Sequence, residues 1–261
     1  RRRQRQMCIR DRGIGVDMDA QKNITLDLEE RPKKSPRAFM VPIKVPDDVR
    51  LVVLPIGGVD DYRSLFHEAG HLEHYANVDP NLETEFKYLG DNSVTETFAF
   101  LSEYMLTDYT WLKDNITMDN YDEFLKFEYT IKAYFIRRYA AKLAYEIWLH
   151  SKGLKNAEKV YKETLEKYLI FNHPSEHYLI DLDPGFYVAK YLKAWILEAM
   201  LREKLREKFG EKWFLNKKAG DFLIGLWKNG QKYNADEIAN FLEYDRLNIE
   251  PFYEQLKAVF D

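Results

Sequence analysis

Residues 23–28 read Asn-Ile-Thr-Leu-Asp-Leu, an alternation of polar and apolar positions with the period of a half-buried strand. Two short apolar runs follow, at 38–41 and 50–54, separated by Pro42, Pro46 and two Asp. This pattern predicts a small antiparallel sheet within 13–59, with the prolines confined to edge strands. From Asp60 onward the apolar positions recur at helical spacing. They predict helices over 60–76, 93–108, 121–151, 157–171 and 186–209, then shorter ones near 218–228, 235–243 and 250–260. Asp60 or Asp61 suits the N-cap of the first, and Gly153 and Gly210 suit the ends of the two longest. Residues 172–184 read as irregular. The fold class is mainly α with a small sheet, in one domain over 13–261: sheet to residue 59, helical from 60. In the long third helix Tyr129, Phe135, Ile136, Tyr139, Leu143 and Trp148 form a broad apolar arrangement that reads as core, with Arg137 and Arg138 either paired with buried carboxylates or, by preference, facing solvent.

Composition narrows this further. The chain has 261 residues, 46% hydrophobic and 31% charged, enough to bury a core and stay in solution. No stretch approaches the roughly 18 apolar residues a spanning helix needs, so no membrane partner is expected. The net charge of −4 hides a split. Residues 1–12 carry six Arg and one Asp, while the rest has 33 basic against 42 acidic side chains. No basic stripe continues downstream, so nucleic acid is not expected as a partner. The abrupt change at Gly13 predicts that 1–12 form a non-native leader. Cys8, the single cysteine, lies inside it. A body without cysteine suits a reducing cytoplasm.

Chemistry concentrates at His67-Glu68-Ala69-Gly70-His71. On a helix, the i, i+4 spacing puts both imidazoles on one face, close enough to share a metal ion, and Glu68 can reach a water beside it. Zinc fits, because two His leave room for a third ligand and a water whose pKa the ion lowers. Glu68 then serves as general base. Gly70 costs about 1 kcal/mol against Ala inside a helix, which points to close approach of another element. His74 lies too far along the helix to share the ion, and reads as a structural or supporting residue. Glu96, early in the next predicted helix with 24 residues between it and His71, is the candidate third ligand. Glu103, two turns further on the same face, is placed to fix the tautomer of one imidazole.

These residues carry a resemblance. Phe66-His67-Glu68-x-Gly70-His71-x-x-His74, with Glu96 at its interval and Glu103 seven beyond, resembles the thimet oligopeptidase and oligoendopeptidase F family of zinc peptidases. The resemblance implies a zincin-like helical catalytic domain with one Zn2+, in which Glu96 is the third ligand. Residues 23–27 and 34–39 are similar to the family's paired strands beside the active-site helix, whose edge is expected to hold a substrate backbone. Downstream, His177 and Gly185-Phe186-Tyr187-Val188-Ala189-Lys190-Tyr191 resemble the segment whose His and Tyr side chains bind substrate and stabilise the oxyanion. Ala189 stands where many members have another Tyr, so either Tyr187 or Tyr191 can be the oxyanion donor. Family members are about twice as long, which implies a missing N-terminal half of the same protein.

The expected function is therefore zinc-dependent endo-oligopeptidase action on short, unstructured peptides. The alternatives are a truncated zinc-binding domain without turnover, and a carboxypeptidase or aminopeptidase of the same zincin type. The chain has no P-loop, dinucleotide-binding glycine motif or serine nucleophile elbow.

Overall fold

The computed structural model describes residues 20–260. The expected leader at 1–12, with Cys8, lies outside the described residues.

Three strands open the described fold: β1 (Ile24–Asp27), β2 (Phe39–Lys44) and β3 (Asp48–Val52), in the order β1-β3-β2. The expected antiparallel pairing holds between β2 and β3, but β1 runs parallel to β3, so the sheet is mixed. The reason is the connection: 11 residues separate β1 from β2, enough to place β2 on the far side of β3. Alternation does its work in β3, where Val49 and Leu51 are fully buried and Arg50 between them is exposed. Pro42 sits in β2, an edge strand, beside a register irregularity between Pro42 and Lys44.

Ten α-helices follow among the described residues: α1 (Val59–Ala76), α2 (Thr84–Tyr88), α3 (Asn92–Glu103), α4 (Tyr109–Asn115), α5 (Tyr121–Lys152), α6 (Ala157–Leu169), α7 (Tyr187–Phe209), α8 (Lys217–Trp227), α9 (Ala235–Phe241) and α10 (Glu250–Phe260). The short α2 and α4 were not anticipated, and the helix expected over 93–108 ends at Glu103 and tightens into a 3-10 turn, Tyr104–Thr107. Neither Asp60 nor Asp61 is the N-cap of α1. Gly58 takes that place at φ 90°, and both aspartates fall in the first turn, where Asp61 accepts from the amides of Ile56 and Gly57. Their negative charge still meets the positive end of the helix. Gly153 and Gly210, at φ 78° and 85°, end α5 and α7 as expected.

One face of α1 packs on the sheet, with Leu65, Ala69 and Leu72 against Val49, Leu51 and Val53. Its other side joins a second core through Phe66, with Phe98 and Leu101 of α3, Leu197 and Met200 of α7, and Trp227 of α8. A separate cluster, Tyr145, Leu149, Tyr161 and Leu165, joins α5 to α6. Arg138 does not simply face solvent: it donates to Asp181 at 2.9 Å, because the irregular segment after α6 folds back over α5.

Candidate metal centre

Gly70 determines how closely α1 and α3 cross. A Cβ built there would stand 2.4 Å from the Phe98 carbonyl oxygen and 2.6 Å from the Ala99 Cα. No side chain fits, which supplies the close approach that the sequence required of this glycine. Asp91 fixes the start of α3: its carboxylate caps the Ser93 amide, pairs with Lys190 of α7 at 3.0 Å and accepts from the Ala235 amide. The first turns of α3 are thereby held against the second half of α1.

This crossing brings His67, His71 and Glu96 together, with one ligand atom from each within 4.8 Å of the others. Glu96 Oε2 lies 3.3 Å from His67 Nε2 and 3.5 Å from His71 Nε2. That oxygen is buried and has no hydrogen-bond partner among the described residues. Two imidazole nitrogens converging on an orphaned carboxylate oxygen form a donor set that fits a divalent metal ion. The opposite ring nitrogens are also engaged: His67 Nδ1 lies 3.1 Å from Glu103 Oε2, and His71 Nδ1 lies 2.8 Å from Thr95 Oγ1. Each contact fixes a ring orientation with Nε2 facing Glu96. Glu103 thus has the contact expected of it. Thr95 was not foreseen; its one mark in the sequence is adjacency to Glu96.

Electrostatics follow the geometry. Burial works against a charged His67, yet the Glu103 and Glu96 carboxylates outweigh it and raise the imidazole to about 10. Burial pushes Glu96 up, and the two imidazoles more than reverse that, holding it well below the ordinary carboxylate range. His74 contrasts with both. It is fully buried, touches the Phe98 ring, and pairs through Nε2 with the Gly230 carbonyl at 3.1 Å. Burial holds its pKa down to about 3. Its role is structural, tying α1 to the loop after α8.

Glu68 is half-buried beside His67, and its Oε2 accepts from the Met40 amide of β2 at 2.8 Å. The edge strand and the candidate base therefore share a hydrogen bond that sequence spacing does not reveal. From the opposite side Tyr187, the first residue of α7, donates to Glu96 Oε1 at 2.9 Å. Burial and the neighbouring Glu96 charge raise its pKa far above the ordinary phenol value, so it remains a proton donor. The Tyr191 ring stands 5.1 Å from that of Tyr187 and 6.0 Å from Phe100. His177 is not brought to the cluster: its side chain is exposed, and its carbonyl accepts from the amides of Ile180 and Asp181 in a turn.

No family model matches the sequence, and no curated protein matches it. Solved structures do match. The fold is similar to Trypanosoma cruzi metallocarboxypeptidase 1 (TM-score 0.65, 17% identity, covering 99% of this chain and 60% of that one). It is also similar to PZ peptidase A (0.66, 14%, 93% and 43%). A third is a Bacillus anthracis protein described as an oligoendopeptidase F (0.61, 15%, 91% and 39%). At these identities the likeness is one of fold, and the chain shares the helical zincin-like architecture of these proteins. It spans between 39% and 60% of their lengths. No helix among the described residues is long and apolar enough to cross a membrane.

Proposed function

We propose that the chain is a zinc-dependent peptidase acting on short, unstructured peptides, with endo-oligopeptidase cleavage as the first reading. The observation that carries it is the convergence of both imidazole Nε2 atoms on the unpartnered Glu96 oxygen, with Glu68 alongside. His67, His71 and Glu96 would hold the ion, with Glu103 and Thr95 orienting the rings. When bound, zinc supplies polarisation of the scissile carbonyl and a lowered pKa for a neighbouring water.

The protein's own groups do the rest. Glu68 takes the proton of the attacking water and delivers it to the departing amine. The Tyr187 hydroxyl, already turned toward the cluster, donates to the oxygen on which negative charge develops. Tyr191 packs behind it and supports its orientation. β2 is an edge strand, and its outer side offers backbone groups to an extended peptide, the Met40 amide there being held by Glu68. Carboxypeptidase action is the second reading, favoured by the fold likeness to a metallocarboxypeptidase over nearly the whole of this chain. The proposed setting is the cytoplasm, with peptides as the partner.

The test is cleavage of a panel of quenched short peptides by the zinc-loaded chain, with products identified by mass spectrometry. Glu68→Gln should keep about one zinc per chain and lose turnover by a factor of about 10² to 10⁴. Turnover that survives the substitution would remove Glu68 from the mechanism. A wild-type chain that binds zinc and cleaves nothing would favour a binding domain.

A further inference from the structure

A cavity of about 240 Å³ opens beside His67, between α1, α3, α5 and α7. Six aromatic residues line it, Phe100, Tyr104, Phe135, Tyr139, Tyr191 and Trp195. Four charged residues also line it: Arg63, Glu103, Glu128 and Lys132. Three of them are committed. Arg63 donates to Glu128 at 2.6 Å and to Asp60 at 2.5 Å, and Glu103 is engaged with His67.

Lys132 differs. Its ammonium makes no hydrogen bond among the described residues, although it has three donors. The carboxylate within ion-pair reach is Glu198, at 3.8 Å, and Glu198 is already bound to Arg202 Nε at 2.7 Å. The ammonium otherwise stands over the Phe252 ring at 5.4 Å. Burial lowers its pKa; Glu198 and Glu103 oppose the shift and Arg202 adds to it. Lys132 is partly exposed, and its one carboxylate contact lies at ion-pair rather than hydrogen-bond distance, which leaves its donors open to an acceptor that a ligand supplies.

We propose that this cavity is a substrate subsite that binds a carboxylate flanked by a large apolar group, with Lys132 as the residue that determines the preference. The inference rests on the peptidase reading, because it places the subsite beside a candidate metal ligand. Two sources can present such a carboxylate: the C-terminus of a peptide, or an acidic side chain within one. The first makes the enzyme a carboxypeptidase for aromatic C-terminal residues; the second gives endopeptidase cleavage beside Asp or Glu.

Paired peptides separate the sources. One pair ends in Phe as the free acid or the amide; the other has blocked ends and an internal Glu or Gln. The zinc-loaded chain should prefer the carboxylate member of at least one pair by tenfold or more in kcat/KM, chiefly through KM. Lys132→Met should bring that ratio toward one, and Lys132→Arg should restore part of it. Equal cleavage within both pairs, or a ratio that Lys132→Met leaves unchanged, overturns the proposal. Calorimetry with 3-phenylpropanoate and its amide, on the metal-free chain so that no ion can hold the acid, tests the cavity apart from turnover. Tighter binding of the acid that Lys132→Met abolishes supports the subsite even if no peptide is cleaved, in which case the peptidase reading alone fails. Equal binding of acid and amide overturns the subsite.

Discussion

The candidate metal ligands and the candidate oxyanion donor reach the same point by different routes. His67, His71 and Glu96 stand on α1 and α3, two helices that cross over a glycine and are buried along the crossing. Tyr187 stands at the very start of α7, after Gly185 and Phe186 at φ 64° and 56°, and after a segment with little regular structure. That segment is held by charge: Lys142 pairs with Asp183 at 2.8 Å, Arg138 with Asp181 at 2.9 Å, and the Asp183 amide donates to Glu146. The metal groups are thus fixed by packing, and the tyrosine by a polar clamp at a helix end. Packed crossings tolerate little change in volume, whereas a helix start can turn without disturbing the core.

The sharpest way to break the rigid half is Gly70→Ala. A methyl group 2.4 Å from the Phe98 carbonyl must push α1 and α3 apart. The expected loss is about 3 kcal/mol of stability, measured by denaturant titration, together with weakened zinc binding. Unchanged stability would mean that the crossing is looser than its geometry.

On the tyrosine side, Tyr187→Phe should lower kcat by about 10², with zinc content and KM nearly unchanged, because the hydroxyl acts on developing charge. If KM rises and kcat stays, Tyr187 binds substrate instead. Smaller than both is the effect expected of Glu103→Gln. It keeps the shape, removes the carboxylate facing His67 Nδ1, and should weaken zinc affinity by about tenfold in a competition assay with a chelating dye.

The same contrast explains what the sequence disclosed. His67, Glu68 and His71 are legible because one helix fixes their spacing, and Glu96 and Glu103 because a second helix carries both on one face. Gly70 was legible as an anomaly, a glycine inside a helix that needed a reason. Groups placed by contacts between distant segments were not. The Met40 amide meets Glu68 across 28 positions, and backbone donors carry no mark in a sequence. Lys132 lines the cavity from α5, where one lysine among many charged residues looks like a solvated surface group. His177 was drawn toward the site by a family pattern, but the turn that contains it leaves the imidazole exposed. The strands were found and the antiparallel β2–β3 pair with them, but the parallel direction of β1 was not, since periodicity gives which side of a strand is buried and says nothing of its neighbour's direction.

Within α1 itself, two histidines seven positions apart extend the comparison to pH. His67 is raised to about 10 by two carboxylates, and His74 is lowered to about 3 by burial. An unfolded chain returns both to about 6.5. Between pH 6.5 and 3 the unfolded state therefore binds the extra proton at His74, and stability is lost as pH falls through that window. The loss is about 1 kcal/mol already at pH 6. His67 in the metal-free chain has the opposite sign: its stabilising contribution is complete below pH 6.5 and disappears as pH rises through about 10. The two windows meet near pH 6.5, so urea titrations kept below it, at pH 5, 5.5 and 6, isolate the buried histidine. His74→Leu, which keeps the volume and removes the titrating ring, should flatten the acid-side slope even if overall stability drops. A slope that persists in that variant would transfer the acid sensitivity to another group and leave His74 ionisable at its ordinary value.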